Sequence, residues 1–257
     1  MTETDTSPPL LHTLPDGRRM AYRHSEGRGP TLVFLPGYMS DMLGGKASAL
    51  MHWAREQGRA CLLLDYTGCG VSDGTFADGT LSAWRDEIVS LLVAKVDGKI
   101  VLFGSSMGGW LMLLLGLALK DRLAGLVGIA PAPDFSEWGY LPEQKDRLRA
   151  GESVFEDNPY GPEPTPTHAK FWRDAQDNRL LDKEIALDCP VHLIHGQRDA
   201  DVPWQISLRL ADALHSDEVQ VTLIKDGDHR LSRPQDIAAL LRVAQALTDR
   251  IEDSATQ

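Results

Sequence analysis

The amino-acid sequence predicts an α/β fold: a mostly parallel, doubly wound sheet with an antiparallel N-terminal edge and a small helical cap insertion. Three observations carry this expectation. Six short runs, "TLVFL" at 31, "CLLLD" at 61, "IVLFG" at 100, "GLVGIA" at 125, "VHLIHG" at 191 and "VQVTLI" at 219, are continuously apolar, as strands covered on both faces must be. Helical periodicity fills most of the intervals between them. One long interval, about 135 to 188, holds no strand run and is rich in proline and aromatic residues.

Taken in order, "LLHTL", "PDG" and "RRMAYRH" read as a hairpin closed by a tight Asp16-Gly17 turn, which supplies the antiparallel edge. The first helix places Ala47, Leu50, Met51 and Ala54 on one face, and the second Leu81, Trp84, Ile88, Leu91 and Leu92. "WLMLLLGLAL" at 110 to 119 is too short to cross a bilayer and reads as a buried helix. Later, Ile206, Leu210, Ala213 and Leu214 share a face, with Pro203 suited to a first helical position. A last helix carries Ile237, Leu240, Leu241, Ala244, Leu247 and Ile251. Trp138, Tyr140, Phe155, Phe171 and Trp172 give the 135–188 segment something to pack, so it reads as a cap rather than a disordered loop. The 257 residues suit one domain over 1–257, with the cap (lid) inserted within it.

Bulk properties narrow the function. A net charge of −11 offers no basic field for phosphates, so neither nucleic acid nor an anionic membrane surface is an expected partner. Cys61, Cys69 and Cys189 form no CxxC pair, which suggests neither a disulfide framework nor a zinc site. The acidic start "MTETDTSPPLLHTLPDG" matches neither a signal peptide nor a presequence, so a cytoplasmic protein with reduced thiols and no stable membrane insertion is expected.

Chemistry concentrates in "FGSSMGG" at 103 to 109, a strand, a tight turn and the start of a helix. A nucleophilic serine in such a turn sits in a strained conformation, and side chains two positions before and after it would collide with its neighbours. Framed on Ser106 the flanks are Gly104 and Gly108; framed on Ser105 they are the bulky Phe103 and Met107. Ser106 is therefore the candidate nucleophile. Without G-K-[ST] or G-x-G-x-x-G, the stretch fits phosphate binding poorly.

A serine needs a base, and the base an orienting acid, which in this fold class follow in the order Ser, Asp or Glu, His. Asp199, after "VHLIHG", and His229, in "DGDHR", both fall where loops leave the carboxyl ends of strands. Among their competitors, Asp201 suits a helix cap near Pro203, Asp226 and Asp228 suit turns, and His195 reads as a structural histidine satisfied by local backbone. Histidines 12, 24, 52, 168, 192 and 215 are isolated. An oxyanion hole completes the set, each donor being worth on the order of 3 kcal/mol. The expected donors are the backbone N–H of Met107 and that of Tyr38 in "LPGYMSD", whose ring suits either a pocket wall or an exposed loop.

With "FLPGYMSDMLGGKA", "LLLDYTGCGVSDG", "FGSSMGGWLM", "HGQRDADVPW" and "DHR" in this order, the chain resembles the α/β-hydrolase superfamily over almost its whole length. "PGYMSDM" and the elbow running into Gly109-Trp110 resemble, more narrowly, a subgroup of acyl-protein (palmitoyl) thioesterases and acyl-glucuronide esterases. The resemblance implies an ester or thioester hydrolase with a Ser106, Asp199, His229 triad, acting on a small-molecule or acylated substrate without cofactor or metal. A lactone or carbon-carbon bond hydrolase on the same triad, or a hydrolase-like receptor for a small ligand, is the alternative expectation.

Overall fold

The computed structural model describes residues 8–158 and 161–255; residues 1–7, on which the reading of the N-terminus as untargeted largely rested, lie outside the described residues. The sheet holds eight strands: β1 (Leu10–Thr13), β2 (Arg19–Ser25), β3 (Arg28–Leu35), β4 (Arg59–Leu64), β5 (Ile100–Ser105), β6 (Leu123–Ile129), β9 (Val191–Gly196) and β10 (Val219–Ile224). Their spatial order is β1-β2-β4-β3-β5-β6-β9-β10. β1 and β2 pair antiparallel around the Asp16-Gly17 turn, β2 runs antiparallel to β4, and every other pairing is parallel. The apolar runs thus belong to the parallel strands; β4 and β5 are buried throughout, whereas β10 at the sheet edge is only partly covered.

One face is covered by α1 (Gly45–Glu56) and α8 (Pro234–Ala255), whose Leu50, Met51, Leu240 and Ala244 pack on Leu32, Phe34 and Phe103. The other carries α2 (Leu81–Lys95), α3 (Met107–Ala118) and α7 (Gln205–Ala213) over Val33, Leu62 and Leu102. Every residue of α3 from Met107 to Gly116 is buried, which is why its apolar run shows no polar face. Among the described residues no helix is long and apolar enough to cross a membrane.

The chain first goes from β3 to β4 on one side, then crosses back to place β5 on β3's other side. The loops leaving β3 and β5 therefore part in opposite directions and open a crevice at the carboxyl ends of the sheet. Leu35 lies in register with Gly104 there, so the "PGYMSD" loop and the "SSMGG" turn emerge side by side.

Between β6 and β9 the chain forms α4 (Phe135–Trp138), α5 (Pro142–Ala150), β7 (Val154–Glu156), β8 (Thr165–Thr167) and α6 (Ala169–Asp177). Besides these helices the cap holds a short ribbon: β7 and β8 pair antiparallel from Val154↔Thr167 to Glu156↔Thr165. Three-residue strands are too short to print a period, and prolines obscure the second. Phe155, expected to pack, is 62% exposed, whereas Phe171 and Trp172 are buried. Pro203 and Asp201 do not begin or cap α7, which starts at Gln205 behind Trp204 with no side-chain cap.

One carboxylate closes the neck of the insertion. Asp134, just before α4, accepts hydrogen bonds from the backbone of Leu180 (2.9 Å) and Leu181 (2.8 Å), just beyond α6. Burial pushes its carboxyl above the ordinary range, against the pull of these two bonds. Asp134→Ala is expected to lower unfolding free energy by about 2–4 kcal/mol, since two buried N–H groups lose a charged acceptor. Denaturant unfolding checks this, and coincident wild-type and variant curves would refute it.

Candidate active site

Ser106 sits between β5 and α3 with φ +54° and ψ −120°, a conformation that costs an L-residue on the order of 1–3 kcal/mol. Packing enforces it. A Cβ on Gly108 would run into the carbonyl oxygens of Leu35 and Pro36, and one on Gly104 into the Gly108 carbonyl. The turn is pinned by Ser106 N–H donating to the Ile129 carbonyl (3.0 Å) and by the Ser106 carbonyl accepting from Gly109 (2.8 Å) and Ala132 (3.0 Å). Both flanks of the Ser106 frame thus lie where only glycine fits.

His229 and Asp199 come to the same place from the loops after β10 and β9. Arg198 N–H donates to the Gly227 carbonyl (2.8 Å), binding the two loops backbone to backbone. His229 Nδ1 is 2.8 Å from Asp199 Oδ2, and its Nε2 is 3.1 Å from Ser106 Oγ. A carboxylate only accepts, so Nδ1 carries the proton and Nε2 is left to accept from the serine hydroxyl. Asp199 Oδ1 meanwhile accepts from the N–H groups of Asp201 (2.9 Å) and Val202 (2.8 Å). Burial alone would raise this carboxyl; hydrogen bonds from His195 and His229 outweigh it and hold it well below the ordinary range.

The structure corrects the reading of His195. It is fully buried, but its partners reach beyond local backbone: Nε2 faces both Asp199 Oδ2 (3.1 Å) and the Val202 carbonyl (3.1 Å), while Nδ1 meets Ser207 Oγ (2.7 Å). Two acceptors at Nε2 require the proton there, so His195 donates to Asp199 and accepts from Ser207. The spacing of His195 and Asp199 on the strand-end turn, four residues apart, was the signal available in the sequence. The structure adds Asp65, which follows an apolar strand and begins a glycine-rich loop. Its two oxygens accept from Met42 N (2.7 Å) and Val71 N (3.0 Å), fixing the loop that carries Tyr38.

Tyr38 and Met107 both line a cavity of about 180 Å³ that reaches Ser106 and His229. Met107 is the first residue of α3, where a backbone N–H has no partner within the helix. Tyr38 is no exposed loop residue: its hydroxyl donates to the Pro166 carbonyl (2.9 Å) and its ring packs edge-on against Phe76 and Phe171. Burial pushes its phenol well above the ordinary value. Lys46, on α1, donates to the carbonyl of Arg230 and so braces the His229 loop; burial lowers its ammonium to about 8.

Among the described residues, Asp199, Asp201 and His229 each bring one potential metal ligand within 4.8 Å of the others. Both His229 nitrogens and both Asp199 oxygens are already engaged in hydrogen bonds, which leaves the set poorly arranged to hold an ion. Gly108→Ala is expected to destabilise the fold by about 1–3 kcal/mol or more, because a backbone carbonyl cannot swing aside as a side chain would. An unchanged thermal midpoint in that variant would contradict the packing account.

Comparison with known proteins agrees with this architecture. Residues 32–240 match the model of the alpha/beta hydrolase family. The human mitochondrial palmitoyl-protein thioesterase ABHD10 is 35% identical over 246 residues, covering 92% of this chain and 79% of that protein. Its mouse counterpart is 38% identical, covering 90% and 80%. The solved structure of mouse alpha/beta hydrolase domain-containing protein 10 superposes with a TM-score of 0.89 at 33% identity, covering 95% of this chain and all of that one. A solved structure from Agrobacterium vitis S4 gives 0.87 at 37% identity, covering 94% of this chain and 100% of that one. These mammalian thioesterases are named as mitochondrial, so the cytoplasmic expectation finds no support in them. Fold, strand order and matched residues together place this chain in the α/β hydrolase family.

Proposed function

We propose that the protein is a serine hydrolase that cleaves carboxylic esters or thioesters through an acyl-enzyme. The observation that carries this reading is the continuous chain Asp199 Oδ2, His229, Ser106 Oγ, with contacts of 2.8 and 3.1 Å. Ser106 Oγ attacks the acyl carbon as its proton passes to His229 Nε2, and Asp199 stabilises the resulting imidazolium. The carbonyl oxygen, now negative, is met by the backbone N–H groups of Met107 and Tyr38. Collapse of this intermediate breaks the C–O or C–S bond, and His229 returns the proton to the departing alcohol or thiol. Water, deprotonated by His229, then attacks the acyl-enzyme, and collapse releases the acid while Ser106 regains its proton.

The names of the human and mouse relatives support the thioester half of this reading, since both are called palmitoyl-protein thioesterases. The fold alone supports the ester half equally. Nothing at the site favours a lactone, a carbon-carbon bond or a receptor role over these, and turnover separates an enzyme from a receptor.

Ser106→Ala is expected to lower kcat by about 10⁴-fold or more, as removal of a nucleophile does in serine enzymes. Ser105→Ala should retain turnover, and a fluorophosphonate should label Ser106 alone; wild-type rates in Ser106→Ala would overturn the mechanism. Asp199→Asn is expected to cost about 10⁴-fold, since an amide no longer selects the Nδ1–H tautomer.

The depressed Asp199 carboxyl sets a pH dependence. Such a group contributes stability above the ordinary carboxylate range and loses it only as pH falls through its lower folded-state value. It therefore stays ionised through the ordinary carboxylate range, and kcat/KM should show no inflection from Asp199 there. A carboxyl inflection of kcat/KM within the ordinary carboxylate range would contradict this account of Asp199.

A further inference from the structure

The ester or thioester reaction gives His195 no task, yet its ring touches Asp199. It stands on β9 one residue before Gly196, and its side chain, like that of Asp199, is fully buried. Resting on the hydrolase reading of Ser106, we propose that His195 is a positioning residue for that reaction: its Nε2–H fixes the plane of the Asp199 carboxylate and, through it, the ring of His229.

The two oxygens of Asp199 are anchored differently. Oδ1 accepts from the backbone N–H groups of Asp201 (2.9 Å) and Val202 (2.8 Å), on the turn that Asp199 itself begins. These bonds fix one corner of the carboxylate and leave the group free to tilt about it. Oδ2 meets two imidazoles, His229 Nδ1 at 2.8 Å and His195 Nε2 at 3.1 Å. Of the two, His229 is the poorer anchor. It takes up and returns a proton in each half-reaction, so its bond to Oδ2 strengthens and weakens during turnover, and its side chain is 15% exposed. His195 takes no part in that transfer and stays in place.

What holds His195 also sets its tautomer. A neutral imidazole carries one ring proton, and Nε2 faces two acceptors, Asp199 Oδ2 and the Val202 carbonyl (3.1 Å), so the proton belongs there. Nδ1 then accepts from the Ser207 hydroxyl on α7 (2.7 Å). In the opposite tautomer the Nε2 lone pair would oppose a buried carboxylate and a carbonyl at once. Loss of the donor would leave a lone pair of Oδ2 unpaired, on the atom that orients His229. His195 is not among the described residues that line the crevice at Ser106. Its loss should therefore slow proton transfer without weakening substrate binding.

The test compares the wild type with His195→Gln, which keeps an N–H donor of similar reach, and His195→Leu, which has none; thermal unfolding verifies each fold. In folded His195→Leu, kcat on a p-nitrophenyl ester should fall about 10- to 100-fold, the worth of one hydrogen bond to a charged group, with KM within about threefold of the wild type. His195→Gln should recover most of that loss. A wild-type kcat in folded His195→Leu, or equal losses in the two variants, would overturn the proposal and leave His195 a brace for the Val202 turn. Nitrogen-15 NMR of the wild-type imidazoles tests the same geometry even if neither variant folds: His195 should be the neutral Nε2–H tautomer, and a proton on Nδ1 refutes the positioning role. An absence of ester turnover in the wild type would instead refute the hydrolase reading on which that role rests.

Discussion

The site depends on a steric fact at the centre of the sheet: the carbonyl oxygens of Leu35 and Pro36 occupy the space that any side chain at position 108 would need. Because β3 and α3 approach this closely, the turn between β5 and α3 has no room to relax, and Ser106 is held at positive φ. A conformation costing on the order of 1–3 kcal/mol persists only when its surroundings over-determine it. Here they include the Ile129 and Ala132 backbone on one side and the Gly37 loop on the other. The proposed nucleophile is exposed to the crevice because the backbone around it cannot move away.

Asp199 organises the second half of the site. Four hydrogen bonds converge on its two oxygens, from His229, His195 and the N–H groups of Asp201 and Val202. A carboxylate so fully coordinated keeps its charge and its orientation together, and His229 inherits both. The same convergence explains why a metal reading of the cluster is weak: the lone pairs an ion would need already have donors. His195 belongs to this support, reached through a chain that continues to Ser207 on α7.

Much of this was legible in the sequence wherever a periodic or steric rule acts on contiguous residues. The central parallel strands are legible because burial on both faces leaves no polar alternation, the edge strand β10 because it is rich in branched residues, and the Ser106 frame because glycine alone fits its flanks. Asp199 and His229 were found by chain order and by their position at strand ends. Less legible were features fixed by contacts distant in sequence. Tyr38 could be read as pocket wall or exposed loop until Pro166, Phe76 and Phe171 closed over it, and Asp65 and His195 gave no periodic signal of their bonds. β7 and β8 were too short to be seen, and α7 began two residues later than a proline rule suggests because Pro203 and Trp204 form the turn that leads into it.

The Asp134 clasp gives the insertion a fixed neck. Both ends of the segment from Phe135 to Asn178 are fastened at one carboxylate on the rim of the sheet, while Tyr38 at the Pro166 carbonyl and Ser82 at Asp174 tie its interior to the body. The clasp shares no residue with the chain Asp199, His229, Ser106, so loosening the neck can reach that chain only through the backbone and packing between them.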